Sequence, residues 1–175
     1  RDGHWSLVQK AYETLTGEEG QLIESSAMLS ETIRNYYTQG SNEEYLPPLR
    51  FGTDRGIKDG EAVIFFNYRE DSIREISEAF ILKDFKSFPI KRFENLFITT
   101  MTRYEERFVS PVAFPPDIVT NPLGKILSDA GKTQLRISES YKYAHVTYFF
   151  NGLAETPFKN EYRVLIPSVS TPKVD

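Results

Sequence analysis

The sequence contains no cysteine. Disulfides and thiolate metal sites are therefore excluded, and a reducing compartment is compatible with the chain. Histidine is almost as scarce, with only His4 and His145. Neither has a second histidine beside it, or a carboxylate at a recognised metal-ligand spacing. There is no Gly-x-Ser-x-Gly elbow, no phosphate loop and no Gly-x-Gly-x-x-Gly turn. A self-contained nucleophile or nucleotide cradle is thus not expected. No apolar run nears the roughly 18 residues that span a bilayer, and no signal peptide is read at the start. The net charge is −4. That balance favours neither nucleic acid nor an anionic membrane, so any anion site must be local.

What the chain does have is length and aromatic residues. Its 175 residues include 13 Phe and 10 Tyr, and 39% are hydrophobic. That is enough for one domain with a core, and it argues against disorder. The most informative stretch runs from Glu61 to Phe80. Ala62 to Phe66 is an unbroken apolar run, which predicts a strand buried on both faces. A polar burst from Asn67 to Asp71 follows. Ile73, Ile76 and Phe80 then recur at helical spacing, with Asp71 or Ser72 as cap and Glu75 completing a capping box. Arg69 thus sits at a strand-to-helix turn. There a guanidinium suits an anionic ligand, or it pairs with Glu70 or Asp71.

Upstream, Asp2 is expected to cap a helix carrying Trp5, Val8, Tyr12 and Leu15, closed by Gly17. A second helix is predicted from Ser25 or Ser26 to about Gln39, with Ile33, Tyr36 and Tyr37 inward. Pro47-Pro48 leads into an extended segment through Leu49 and Phe51. Downstream, residues 96–102 read as another buried strand, followed by Arg103. The apolar residues of the 110–116 loop predict packing on the body. Asn121 and Pro122 are expected as N-cap and first residue of a helix ending at Gly131. A strand is predicted at Gln134–Ile137, then a helix through Tyr141, Ala144, His145 and Tyr148, then a strand at Tyr162–Ile166. His145 is expected to be a packed structural histidine. This alternation predicts an α/β fold: a three-layer sandwich with a largely parallel, or mixed, central sheet flanked by helices.

Four cations stand near polar segment ends: Arg1 before the first helix, and Arg69, Arg103 and Lys142 after strands. Converging on one sheet edge, they would suit a small polyanion carrying phosphate and carboxylate. Spacing alone does not bring them together. Lys83, Lys86, Lys91 and Arg92 read as a solvated face.

The chain resembles the 2,3-bisphosphoglycerate-independent phosphoglycerate mutases. The matching residues are Arg1-Asp2 with Trp5 and Ala11-Tyr12, the run from Gly60 to Arg69, Thr100 to Tyr104 and Pro111 to Pro116. They continue with Asn121 to Gly124, Gln134 to Ile137, Lys142 to Gly152 and Leu165 to Ser168. The resemblance implies the phosphotransferase, substrate-binding domain alone, over 1–166, with 167–175 a linker. It implies a longer enzyme in which a phosphatase-like domain, related to alkaline phosphatase, carries two Mn2+ and the serine nucleophile. This segment would then hold no catalytic residue and no metal. The implied activity is a glycolytic isomerase acting on 2- and 3-phosphoglycerate in the cytoplasm, expected to be a monomer with no nucleic-acid or membrane partner. The implied substrate contacts are Arg1, Arg69 and Lys142, with Asp2, Asp71, Arg74 and Arg103 as further candidates. Where the family carries a second arginine, this chain has Ser72; His4 replaces an arginine, Tyr141 a glutamate and Leu153 a glycine. The segment is expected to be inactive alone. The rival reading is a stand-alone, non-catalytic module that binds phosphate or carboxylate.

Overall fold

A computed structural model describes residues 3–52 and 56–168. The chain divides into two compact units, Arg1–Pro116 and Asp117–Asp175. In the first, helix α1 (Trp5–Thr16) is followed by strand β1 (Gln21–Ile23), helix α2 (Ser26–Thr38), strand β2 (Leu49–Phe51), strand β3 (Ala62–Phe65), helix α3 (Arg74–Ile81) and strand β4 (Phe97–Thr100). The second holds helix α4 (Leu123–Asp129) and strands β5 (Gln134–Glu139) and β6 (Glu161–Ile166). The α/β class and the parallel pairing expected from the sequence are both present. The strands pair two by two, β1 with β2, β3 with β4 and β5 with β6, and each pair is parallel.

The core of the first unit is aromatic because α1 and α3 each turn a ring-bearing face inward. Tyr12, Ala79, Phe85 and Phe88 are buried together, with Trp5, Val8, Phe80, Leu82 and Ile90 packed against them. The rings of Tyr12 and Phe80 lie 4.7 Å apart and those of Phe85 and Phe88 4.8 Å apart. Such contacts contribute beyond area burial. Tyr12 is fully buried, and its hydroxyl donates to the Lys91 carbonyl at 2.9 Å. Burial is the chief reason its pKa is pushed up to about 12. Gly17 closes α1 in the left-handed region at φ 78°, as expected. Leu15, expected inward, is 41% exposed, and Thr16 is buried in its stead.

Several local expectations are corrected. Strand β3 is not buried on both faces: Ile64 is exposed and only Phe65 is buried. Two strands make a narrow ribbon, which leaves one face uncovered. Phe97 of β4 is likewise exposed. Helix α3 begins at Arg74, with Ile73 at the cap position and no side-chain cap bond. Residues 71–73 form a turn, so neither Asp71 nor Ser72 caps the helix. Tyr37 points outward and donates to Glu43. Helix α4 begins at Leu123 with Pro122 at the cap position, one residue later than expected. The segment after β5 is a 3-10 turn (Ser140–Lys142) followed by a π-helical turn (His145–Phe149), not one continuous α-helix. His145 is exposed, with its ring edge-on to Phe149.

Other expectations hold. Ser25 caps α2 by accepting from the Met28 N–H. The 110–116 loop lies on β4: Ala113 N–H donates to the Thr100 carbonyl and Phe114 N–H to that of Met101.

Candidate functional site

Strands β3 and β4 pair in parallel, with Phe65 opposite Thr100. Parallel pairing places both carboxyl ends at one edge of the ribbon, where open α/β sheets bind ligands. Arg69 follows β3 and Arg103 follows β4, so the two arginines leave from the same edge. Phe65 anchors the end of β3 by packing on Phe80 of α3, with ring centroids 5.8 Å apart. Beyond it the chain becomes exposed, with Phe66 and Tyr68 turned outward.

Arg69 Nη2 lies 2.9 Å from Asp71 Oδ2, and the Arg69 side chain is 58% exposed. The ion-pair alternative read from the sequence is therefore realised, with Asp71 as partner. Asp71 Oδ1 is buried and has no hydrogen-bond partner. One carboxylate oxygen thus pairs with the guanidinium while more than half of the Arg69 side chain stays exposed. Arg74 stands at the first position of α3, and its Nε is buried without a partner. In the same turn Glu75 accepts the Gly3 N–H at 2.6 Å, which ties the start of the described chain to the start of α3. Arg1 and Asp2 lie outside the described residues.

Arg103 pairs with Glu106 at 3.1 Å. A cleft of about 200 Å3 opens beside it, lined also by Thr100, Tyr104, Glu105 and Ser110. Glu105 and Glu106 make that cleft a poor match for a polyanion, since one guanidinium faces two carboxylates. Arg107 bridges Glu105 and Glu78 at 2.8 and 3.0 Å, fastening the loop after β4 to α3. Burial pushes the Glu78 carboxyl up, with the Arg107 charge opposing.

The residue that sequence reasoning passed over is Tyr104. The sequence offers it only as part of a motif, yet its hydroxyl reaches the carbonyls of Phe65 at 2.9 Å and Asn67 at 2.6 Å. Its ring is buried, and burial is the main cause of its raised pKa. A tyrosine a few residues past a strand end was the available signal.

In the second unit Lys142 lies in the 3-10 turn after β5, 71% exposed, with Nζ 2.6 Å from Glu139 Oε1. That hydrogen bond, and then the ammonium charge, holds the Glu139 carboxyl below its usual range. Among the described residues no group of three or more His, Cys, Asp or Glu side chains could hold a metal ion. Among them, too, no helix is long and apolar enough to cross a membrane.

The family model described as BPG-independent PGAM N-terminus matches residues 1–106. The 2,3-bisphosphoglycerate-independent phosphoglycerate mutase of Pyropia yezoensis is 43% identical over 173 residues, covering 98% of this chain and 32% of that protein. That of Synechococcus sp. (strain JA-3-3Ab) is 43% identical over 168 residues, covering 96% and 31%. A crystal structure of Leishmania mexicana phosphoglycerate mutase at low cobalt concentration superposes with a TM-score of 0.76 and 26% identity, over 97% of this chain and 32% of that one. The chain spans about a third of the length of these relatives. The resemblance carried by the motifs is therefore kinship: this chain belongs to the BPG-independent PGAM N-terminus family.

Proposed function

We propose that this chain is the substrate-holding phosphotransferase domain of a phosphoglycerate mutase that interconverts 3- and 2-phosphoglycerate in the cytoplasm. The carrying observation is Arg69, 58% exposed at the carboxyl edge of a parallel ribbon and oriented by Asp71 at 2.9 Å. A guanidinium fixed on one side presents its remaining N–H donors as a fork that fits a carboxylate or phosphate. Lys142, on the second unit, supplies a compact point charge on a mobile stem, a complementary kind of anion contact. Arg1 is a further substrate contact in the same reading, with Asp2, Asp71, Arg74 and Arg103 as secondary candidates.

In this proposal the phosphoserine and two Mn2+ belong to the part of the relatives that this chain does not span. That part is a phosphatase-like domain, joined to 1–166 through 167–175. There the metals would supply the charge that activates the serine. What the present residues contribute is binding, orientation and charge neutralisation, which is most of what phosphoryl transfer asks of a protein.

The test is a 31P NMR titration of 3-phosphoglycerate with the 175-residue chain. The resonances shift on binding, no 2-phosphoglycerate forms, and Arg69→Ala weakens binding by about tenfold or more, as for loss of a charge-assisted bond. Unchanged affinity in Arg69→Ala removes Arg69 from the site. Interconversion by the chain alone contradicts the division of labour.

A further inference from the structure

We propose that Tyr104 is a positioning residue for Arg69, an inference that rests on reading Arg69 as a substrate contact. Between the last residue of β3 and the Arg69–Asp71 pair the backbone has little packing to fix it: Phe66 is 74% exposed and Tyr68 is 77% exposed. The Phe65 carbonyl already accepts the Met101 N–H at 2.7 Å. No backbone N–H among the described residues reaches the Asn67 carbonyl. The Tyr104 hydroxyl does, at 2.6 Å, and it also lies 2.9 Å from the Phe65 carbonyl. Its single proton is shared between two carbonyls two residues apart, and the shorter contact is to Asn67.

The phenol ring is only 4% exposed, so the donor comes from a rigid wall of the unit. A phenol, whose ordinary pKa is about 10, is protonated at neutral pH, and burial raises it further, so the hydroxyl remains a donor. Tyr104 thus holds the backbone two residues before Arg69, and the Asp71 carboxylate holds the side chain two residues after. Together they aim a guanidinium that would otherwise sample the turn's freedom. Pre-organisation of this kind shows as affinity because less ordering is left to do on binding.

The experiment compares the full chain with Tyr104→Phe, Arg69→Ala and the double variant, using 3-phosphoglycerate as probe and amide hydrogen exchange of residues 66–69. Tyr104→Phe keeps the ring and removes one hydrogen bond. It weakens binding about five- to tenfold and lowers protection at residues 66–69. In the Arg69→Ala background it has no further effect on affinity, which a merely structural role would not produce. Asn67→Gly loosens the same turn without touching the core, and it weakens binding in the same direction. Wild-type affinity in Tyr104→Phe or Asn67→Gly, or an equal loss with and without Arg69, overturns the proposal. If Arg69→Ala itself binds normally, the substrate reading fails instead. Hydrogen exchange then still reports whether Tyr104 fixes the turn.

Discussion

The turn between β3 and α3 shows how one side chain can be given two plausible tasks and perform neither as expected. Ser72 has the sequence context of a capping box, with Glu75 three residues on, yet α3 starts two residues later, behind Ile73 in helical conformation. Glu75, the supposed reciprocal member, instead accepts the Gly3 N–H. Capping depends on the N-cap residue adopting an extended backbone, and residues 71–73 are in a turn. Ser25 meets that condition at φ −140° and ψ 156° and accepts from the Met28 N–H. The two serines therefore separate in a urea melt. Ser25→Ala costs about 0.5–1 kcal/mol, while Ser72→Ala stays within about 0.5 kcal/mol of wild type. An equal loss at both positions would restore the capping role of Ser72. The location of Arg69 was legible because a strand followed by a polar burst and an amphipathic run has few interpretations. Its partner was not, because Glu70 and Asp71 differ only in which way the turn points them.

At the scale of elements, the β5–β6 ribbon inverts the usual rule that apolar residues face inward. Leu135, Ile137, Tyr162 and Val164 are exposed, whereas Gln134 and Glu161 are buried. The inward face is a polar network. Glu161 accepts from Arg163 Nε at 2.8 Å, from Asn151 Nδ2 at 2.8 Å and from the Phe158 N–H at 3.2 Å. Gln134 donates to the Gly124 carbonyl. A Cβ at Gly124 would meet Asn151 Oδ1 at 2.6 Å, so the close approach needs glycine there. The strands themselves were legible from their β-forming residues; which face turns inward was not, because periodicity of two says only that faces differ. Burial by itself would raise the Glu161 pKa, but the hydrogen bonds from Arg163, Asn151 and Phe158 outweigh it and the net direction is down. A depressed folded-state pKa gives stability that is present above the unfolded value of about 4.3 and is lost as pH falls through the folded value. Glu161→Gln replaces an acceptor with an amide and leaves the Arg163 charge uncompensated. It costs about 3 kcal/mol at neutral pH and flattens the acid limb of the urea midpoint measured from about pH 6 down to about pH 3. An acid limb identical to wild type would mean that other carboxylates set the acid sensitivity.

At the scale of the whole molecule, the parallel α/β character was legible, since strands and helices alternate from Glu61 onward. The division at Pro116 was not, because Pro115-Pro116 reads as one more loop in a chain with 10 prolines. That division separates two unlike interiors. Among the described residues the buried aromatic and aliphatic side chains other than Pro122 belong to the first unit: Tyr12, Ile23, Phe65, Ala79, Phe85, Phe88 and Tyr104. The second unit buries Pro122 together with Gln134, Thr147, Asn151 and Glu161, half-buries Leu127, Val146, Tyr148 and Phe158, and leaves Leu135, Ile137, Tyr162 and Val164 exposed. Hydrogen bonds exchanged with water contribute little net stability, about 1 kcal/mol each. Ordering the backbone costs roughly 1–2 kcal/mol per residue. A small unit with a polar interior and no disulfide therefore lacks the driving force to fold by itself. Cutting in the exposed chain at Pro116 tests this directly. The 1–116 fragment keeps a cooperative urea transition, because its aromatic cluster is complete. The 117–175 fragment gives a collapsed amide spectrum and coil-like circular dichroism. Dispersed amide resonances from 117–175 alone would show instead that the Glu161 network suffices to specify a fold.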